Sequence, residues 1–186
     1  YNSASAGYIT GNVTSTAPKY PEAFFEVCAF PAGEALNRNS AKYRSPVRFS
    51  SFYPSENGGA YSLLLPPNQH YDLYLIVSHY DENDLESATI RGALSNIPAG
   101  ASGSVNPNQD FTYQSEGRAV NGRVTYNSQG LLFAHVYLED LSGRLVGFAD
   151  TDQNGNYHLY NAPAGNYKIS AWHSDYGSSP EFPLQI

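Results

Sequence analysis

Stretches from the first part of this chain return, in the same order, in its second part, and this repetition constrains the fold more than any other feature. "GYITGNVTS" from Gly7 is echoed by "RAVNGRVTY" from Arg118, each an alternating strand with a glycine at its middle. "FFEVCAFPAGE" from Phe24 is echoed by "FAHVYLEDLSGR" from Phe133. The longest match sets "GGAYSLLLPPNQHYDLYLIV" from Gly58 against "NGNYHLYNAPAGNYKISAWH" from Asn154, and it aligns Tyr61 with Tyr157, Pro67 with Pro163 and Tyr71 with Tyr167. Two tandem units follow. The first covers residues 7–113, with additions at 32–56 and 81–110, and the second covers 117–186.

Within the second unit the apolar residues alternate, which is the period of a strand with one buried face. Val120, Gly122 and Val124, then Ala134, Val136 and Leu138, then Tyr167, Ile169 and Ala171 each mark one face. Turn signals "SQG", "LSGR", "QNGN" and "PAGN" separate these runs, and no segment carries a helical period. The expected fold is all-β: two tandem Greek-key-like β-sandwich units.

The motifs "VNGRVTY", "DLSG", "TDQNGNY" and "PAGNY" of the second unit resemble those of carboxypeptidase regulatory-like domains, of the prealbumin-like (transthyretin-like) β-sandwich type. The likeness covers about 70 residues and extends through the repeat to the first unit. It implies a seven-stranded sandwich used as a spacer, stalk or binding module, similar to B-type repeats of bacterial surface adhesins. In such adhesin repeats a first-strand lysine can crosslink to an asparagine. Here the first strands carry Asn12 and Arg123, and the lysines are Lys19, Lys42 and Lys168, so that crosslink does not carry over.

Charge and composition narrow the partners. Ten Lys and Arg stand against 17 acidic residues, a net charge of -7, which leaves no positive field for nucleic acid. No apolar run reaches the roughly 18 residues of a membrane helix. The lone Cys28 allows no internal disulfide, and "FFEVCAF" places it in a strand core. Tyr at 16, Gly at 16 and Pro at 12 suit short strands and tight turns. The absence of Met and the start at Tyr1 are read as a mature chain after removal of a signal peptide, hence extracellular or at the cell surface.

The stretch "DTDQNGNY" raises the question of a metal. Asp150, Asp152, Asn154 and Asn156 set oxygen ligands at alternate positions before and after Gly155, as in the first half of a calcium loop. The Glu that closes such a shell at the twelfth place is absent; Asn161 stands there. Two readings stay open: a plain hairpin turn whose Asn and Gly take positive φ, and a turn that also holds calcium. Glu82, Asp84 and Glu86 form a second acidic loop. His70, His79, His135, His158 and His173 match no zinc spacing, and no nucleophile elbow accompanies His173 and Asp175.

Trp172, Tyr137 and Tyr160 fall out of phase with the core positions and are expected to point outward, where they could stack on sugar rings or on a partner. The leading reading is a non-catalytic extracellular structural protein: a stalk, adhesion or filament-assembly subunit joined by terminal or edge strands. The alternative is a carbohydrate-binding module. Residues 1–6 are expected to be a free arm, and "EFPLQI", alternating Phe182, Leu184 and Ile186, a terminal strand offered to a neighbour.

Overall fold

The computed structural model describes residues 6–15, 23–34, 36–38, 48–52, 58–81, 85–114 and 117–186. The chain is all-β, and it divides into two compact units. Unit 1 comprises residues 1–35, 44–77 and 90–115; unit 2 comprises 36–43, 78–89 and 116–186. The division differs from the boundaries read in the sequence, because the described residues 36–38, 78–81 and 85–89 belong with the second unit. Part of what looked like additions to unit 1 thus completes unit 2.

Unit 1 is built from β1 (Gly7–Ser15), β2 (Ala23–Pro31), β3 (Arg48–Phe52), β4 (Gly58–Leu65), β5 (His70–Tyr80), β6 (Glu86–Pro98), β7 (Val105–Asn106) and β8 (Phe111–Tyr113), with the end of β5 and the start of β6 belonging to unit 2. One sheet is centred on β1, which pairs antiparallel with β4 in the register Ile9↔Leu63. The other edge of β1 is covered by β7 and β8, both parallel to it. The facing sheet runs β6-β5-β2-β3. Alternation is what closes this sandwich: Ile9 and Val13, Phe25 and Val27, Leu63 and Leu65, Leu73 and Leu75 all point inward and are fully buried. Each such side chain contributes about 1.5–3 kcal/mol on leaving water. Cys28 is buried on β2, as its apolar setting predicts.

Phe111 and Tyr113 carry β8 into that core. Phe111 lies opposite Val13 in the ladder, and its ring centroid is 6.2 Å from that of Tyr61. Tyr113 meets Phe25 edge-on at 5.1 Å. Asp110, just before them, accepts the Asn12 N–H at 2.7 Å, and the Tyr61 hydroxyl donates to the Gln109 carbonyl.

Unit 2 adds β9 (Arg118–Arg123), β10 (Thr125–Tyr126), β11 (Gln129–Gly130), β12 (His135–Asp140), β13 (Leu145–Asp150), β14 (Asn156–Ala162), β15 (Asn166–His173), β16 (Gly177–Ser178) and β17 (Phe182–Gln185). Its larger sheet runs β15-β12-β13-β6, with β16 and β17 on the far edge of β15. Its smaller sheet is β14 with β9. Leu138, Ala149, Leu159, Ala162 and Tyr167 form the core between them. The terminal strand has a partner within the chain: β17 pairs along one edge with β15 in the register Tyr167↔Leu184, and Leu184 and Ile186 pack on the core. Residues 1–5 of the expected arm lie outside the described residues, and Ala6 is buried.

Candidate functional site

The Asp150–Asn156 segment is a turn, but not a hairpin. β13 pairs with β12 and β6, whereas β14 pairs with β9, so the turn carries the chain from one sheet of unit 2 to the other. Sequence shows a tight turn between two strands but not which sheet each strand joins. The Gly155 N–H donates to the Asp152 carbonyl at 2.9 Å and the Asp152 N–H to the Asn156 carbonyl at 2.8 Å. Gly155 sits at φ +79, and Asn154 is not among the residues of positive φ. A Cβ at Gly155 would lie 2.2 Å from the Val124 carbonyl oxygen, so the turn needs glycine for close approach as well as for handedness.

Of the residues expected to bind an ion, Asp150 and Asp152 have carboxylate oxygens engaged from within the chain. Asp152 Oδ1 accepts the N–H groups of Asn154 and Asn156 at 2.8 Å each, and Asn156 Nδ2 donates to Oδ2 at 3.1 Å. Desolvation works to raise the Asp152 pKa, but these hydrogen bonds and the Arg123 guanidinium outweigh it and hold the carboxyl below its usual range. Asp150 Oδ1 pairs with His135 Nδ1 at 2.6 Å. The Asn154 carbonyl accepts from Arg123 Nε at 2.7 Å. Among the described residues no group of His, Cys, Asp or Glu converges as a metal site.

Beside the turn lies a cleft of about 630 Å³, lined by Asp81, Glu86, Asp150, Asp152, Arg123, Asn121, His158 and Tyr160, among others. Glu82 and Asp84 of the acidic loop lie outside the described residues. Tyr160 is held between two imidazoles, with ring centroids 4.0 Å from His158 and 4.8 Å from His79. Burial lowers the His158 pKa. His79, near the end of β5, is 6% exposed.

The aromatic residues chosen for an outward face divide. Tyr137 is 4% exposed and can present no ring face. The reason is a second cover on its strand: β12 is buried on both sides, the Leu36 carbonyl accepts the Leu145 N–H at 2.8 Å, and Arg38 reaches Ser170, the residue paired with Tyr137. Trp172 is half-buried, stacked on His135 at 5.7 Å and 14°. Alternation along strands could not find a different cluster, because it joins a two-residue strand, a strand end and a turn. Tyr126 and Tyr176 stack at 4.3 Å and are 50% and 51% exposed, and His173 lies 5.2 Å from Tyr176. His173 Nε2 contacts the Leu132 carbonyl at 3.1 Å, and the next residue, Phe133, is 59% exposed at φ +58.

One edge of unit 2 differs from its counterpart. Val124 turns its N–H to the Gly155 carbonyl on the β14 side, so the alternate residues Ala119, Asn121 and Arg123 aim their backbone groups the other way. All three are exposed, and among the described residues no strand pairs with that edge. A groove of about 390 Å³ opens there, with Val124, Val136, Tyr157, Ile169, Ala171 and Phe182 in its lining.

No protein family matches the chain, and no curated protein does. Among solved structures it is similar to a leucine-rich repeat protein from Bacteroides thetaiotaomicron, at 12% identity and a TM-score of 0.32 over 98% of this chain and 24% of that one. It is also similar to the Bacillus anthracis TIE protein, at 14% identity and TM-score 0.30 over 98% and 32% respectively. A third similarity is to the shaft pilin spaA of Lactobacillus rhamnosus GG, at 9% identity and TM-score 0.28 over 97% of this chain and 93% of that one. The chain therefore spans between about a quarter and a third of the first two proteins. These likenesses are too distant to transfer a role.

Proposed function

We propose that this chain is a non-catalytic structural module of an extracellular surface, a stalk or filament-assembly subunit that joins its neighbour by strand addition to unit 2. The observation that carries this reading is the contrast between β1, paired along both edges, and its repeat equivalent β9, paired along one. An unpaired strand edge is a template for another chain. The acidic composition, the lone buried cysteine and the motif resemblance support an extracellular setting. The Asp150–Asn156 turn serves as a structural crossover between sheets.

The test is the oligomeric state of the full chain by light scattering across a concentration series. Association is expected. Asn121→Pro removes one outward N–H without touching the β14 pairing, and should weaken association while leaving the far-ultraviolet spectrum intact. A chain that stays monomeric throughout would refute the assembly reading.

A second reading, carbohydrate binding, is supported by the exposed Tyr126–Tyr176 stack and by Phe133. A bulky residue in the left-handed region costs about 1–2 kcal/mol. Here it is held by Thr151, whose carbonyl accepts the Phe133 N–H at 3.0 Å and whose hydroxyl accepts the Ala134 N–H at 2.8 Å. Strain that keeps an aromatic ring in water is a feature of contact sites.

A further inference from the structure

The repeat allows the empty groove of unit 2 to be compared, position by position, with a filled one. In unit 1 the strand β8 lies parallel to β1, with Phe111 opposite Val13 and its ring against Tyr61. The equivalents of Val13 and Tyr61 are Val124 and Tyr157, and both line the groove. Val13 and Tyr61 are buried, whereas Val124 and Tyr157 are only half-buried. Leu75 lies beside Phe111 across Gly92; its equivalent Ala171 is smaller, which leaves more room.

The polar contacts repeat in the same way. The Tyr61 hydroxyl donates to the Gln109 carbonyl of the arriving segment, and no acceptor for the Tyr157 hydroxyl is present among the described residues. Asn12 donates from its backbone to Asp110; Arg123 stands in its place, with Nε on the Asn154 carbonyl and no further hydrogen bond or ion pair among the described residues. A carboxylate one residue before the first aromatic would meet that guanidinium.

We infer that the groove of unit 2 takes an extended peptide strand of the pattern acid–aromatic–any–aromatic, running parallel to β9, with its carboxylate at Arg123 and its first aromatic ring between Val124 and Tyr157. The inference deepens the assembly reading and rests on it for the source of the strand. The chain itself holds such a sequence in Asp110–Phe111–Thr112–Tyr113, which shows the chemistry that this sandwich accepts at that place.

A labelled peptide copying Pro107–Gln114 is the probe, titrated into the full chain with hydrogen exchange as the readout. Binding is expected to slow exchange at Arg123 and Thr125, the counterparts of Asn12 and Thr14. A peptide with Phe111→Ala should bind at least about tenfold more weakly, as loss of a central aromatic anchor does. Arg123→Glu in the chain should weaken the parent peptide, and a peptide with Asp110→Lys should restore binding to that variant. No protection at Arg123–Thr125, protection confined to Gly7–Ser15, or indifference to both charge swaps would overturn the proposal. Peptide binding by a chain that remains monomeric leaves the groove standing and removes the assembly reading. A chain that associates, yet ignores the peptide and Arg123→Glu, does the reverse.

Discussion

Replacing Gly155 with alanine tests whether the turn is held by backbone packing. Gly155 and Gly143 have similar left-handed φ values, +79 and +83. They differ in surroundings: a Cβ at Gly143 meets nothing within 4 Å, whereas one at Gly155 would lie 2.2 Å from the Val124 carbonyl oxygen, 2.8 Å from Gly130 Cα and 2.9 Å from Leu131 N. Gly143→Ala therefore measures the conformational cost alone, about 1–2 kcal/mol. At Gly155 the obstructing atoms are backbone and no rotamer relieves them, so an overpacking cost of about 1–3 kcal/mol adds, for a total of about 2–5 kcal/mol. The Gly155 carbonyl also accepts the Val124 N–H at 2.8 Å, so a shift that relieves the clash loses this bond. Urea unfolding followed by the fluorescence of Trp172, the only tryptophan and a residue of unit 2, reads both variants. Equal losses for the two alanines would show that the turn yields freely, and the packing argument would fail.

Further outcomes follow from the same geometry. The melting point of the full chain should be the same in calcium and in chelator, because the Asp150 and Asp152 carboxylates are engaged by His135 and by the turn's own N–H groups; a calcium-dependent rise with heat in titration calorimetry would restore the ion-binding reading. Asp140 should titrate at about 2 rather than 3.8, because hydrogen bonds from Ser142 and Arg144 overcome the desolvation that raises it. Its lowered folded pKa makes its stabilisation complete above about 3.8 and lost as pH falls through about 2, so Asp140→Asn should flatten that part of the acid limb, and an unchanged acid profile would count against it. Tyr176→Ala and Phe133→Ala should reduce retention in polysaccharide-containing gels with little change in melting point; unchanged retention on every polysaccharide that holds the parent would end the second reading.

The sandwich was legible because burial on one face imposes a period of two, and positions such as Ala134, Val136 and Leu138, all fully buried, obey it. The failures have a common cause in neighbours distant along the chain. Tyr137 obeys the alternation but is covered by a segment more than ninety residues earlier, around Leu36 and Arg38. His79 stands at a strand end in sequence but beneath Tyr160 in space. The turn's glycine announced its φ, yet not that β13 and β14 belong to different sheets. The open edge of β9 has no signature in its own residues; the pairing of β8 with β1 in unit 1 is what brings it out.

The difference between the units also sets where the chain should yield. Unit 1 closes its core with Phe111 and Tyr113, and the residues they cover, Val13 and Tyr61, are almost wholly shielded. Unit 2 holds Val124, Tyr157 and Ile169 only half-buried around a groove, so it gains less from burial for a similar cost in chain entropy. Local opening therefore begins at β9, whose outward N–H groups have no ladder partner to lose. A strand that binds there stabilises unit 2 by mass action and leaves unit 1, already filled, untouched. Assembly and stability then become the same event for unit 2, which is the property a structural subunit needs if it is to be rigid only once it is joined.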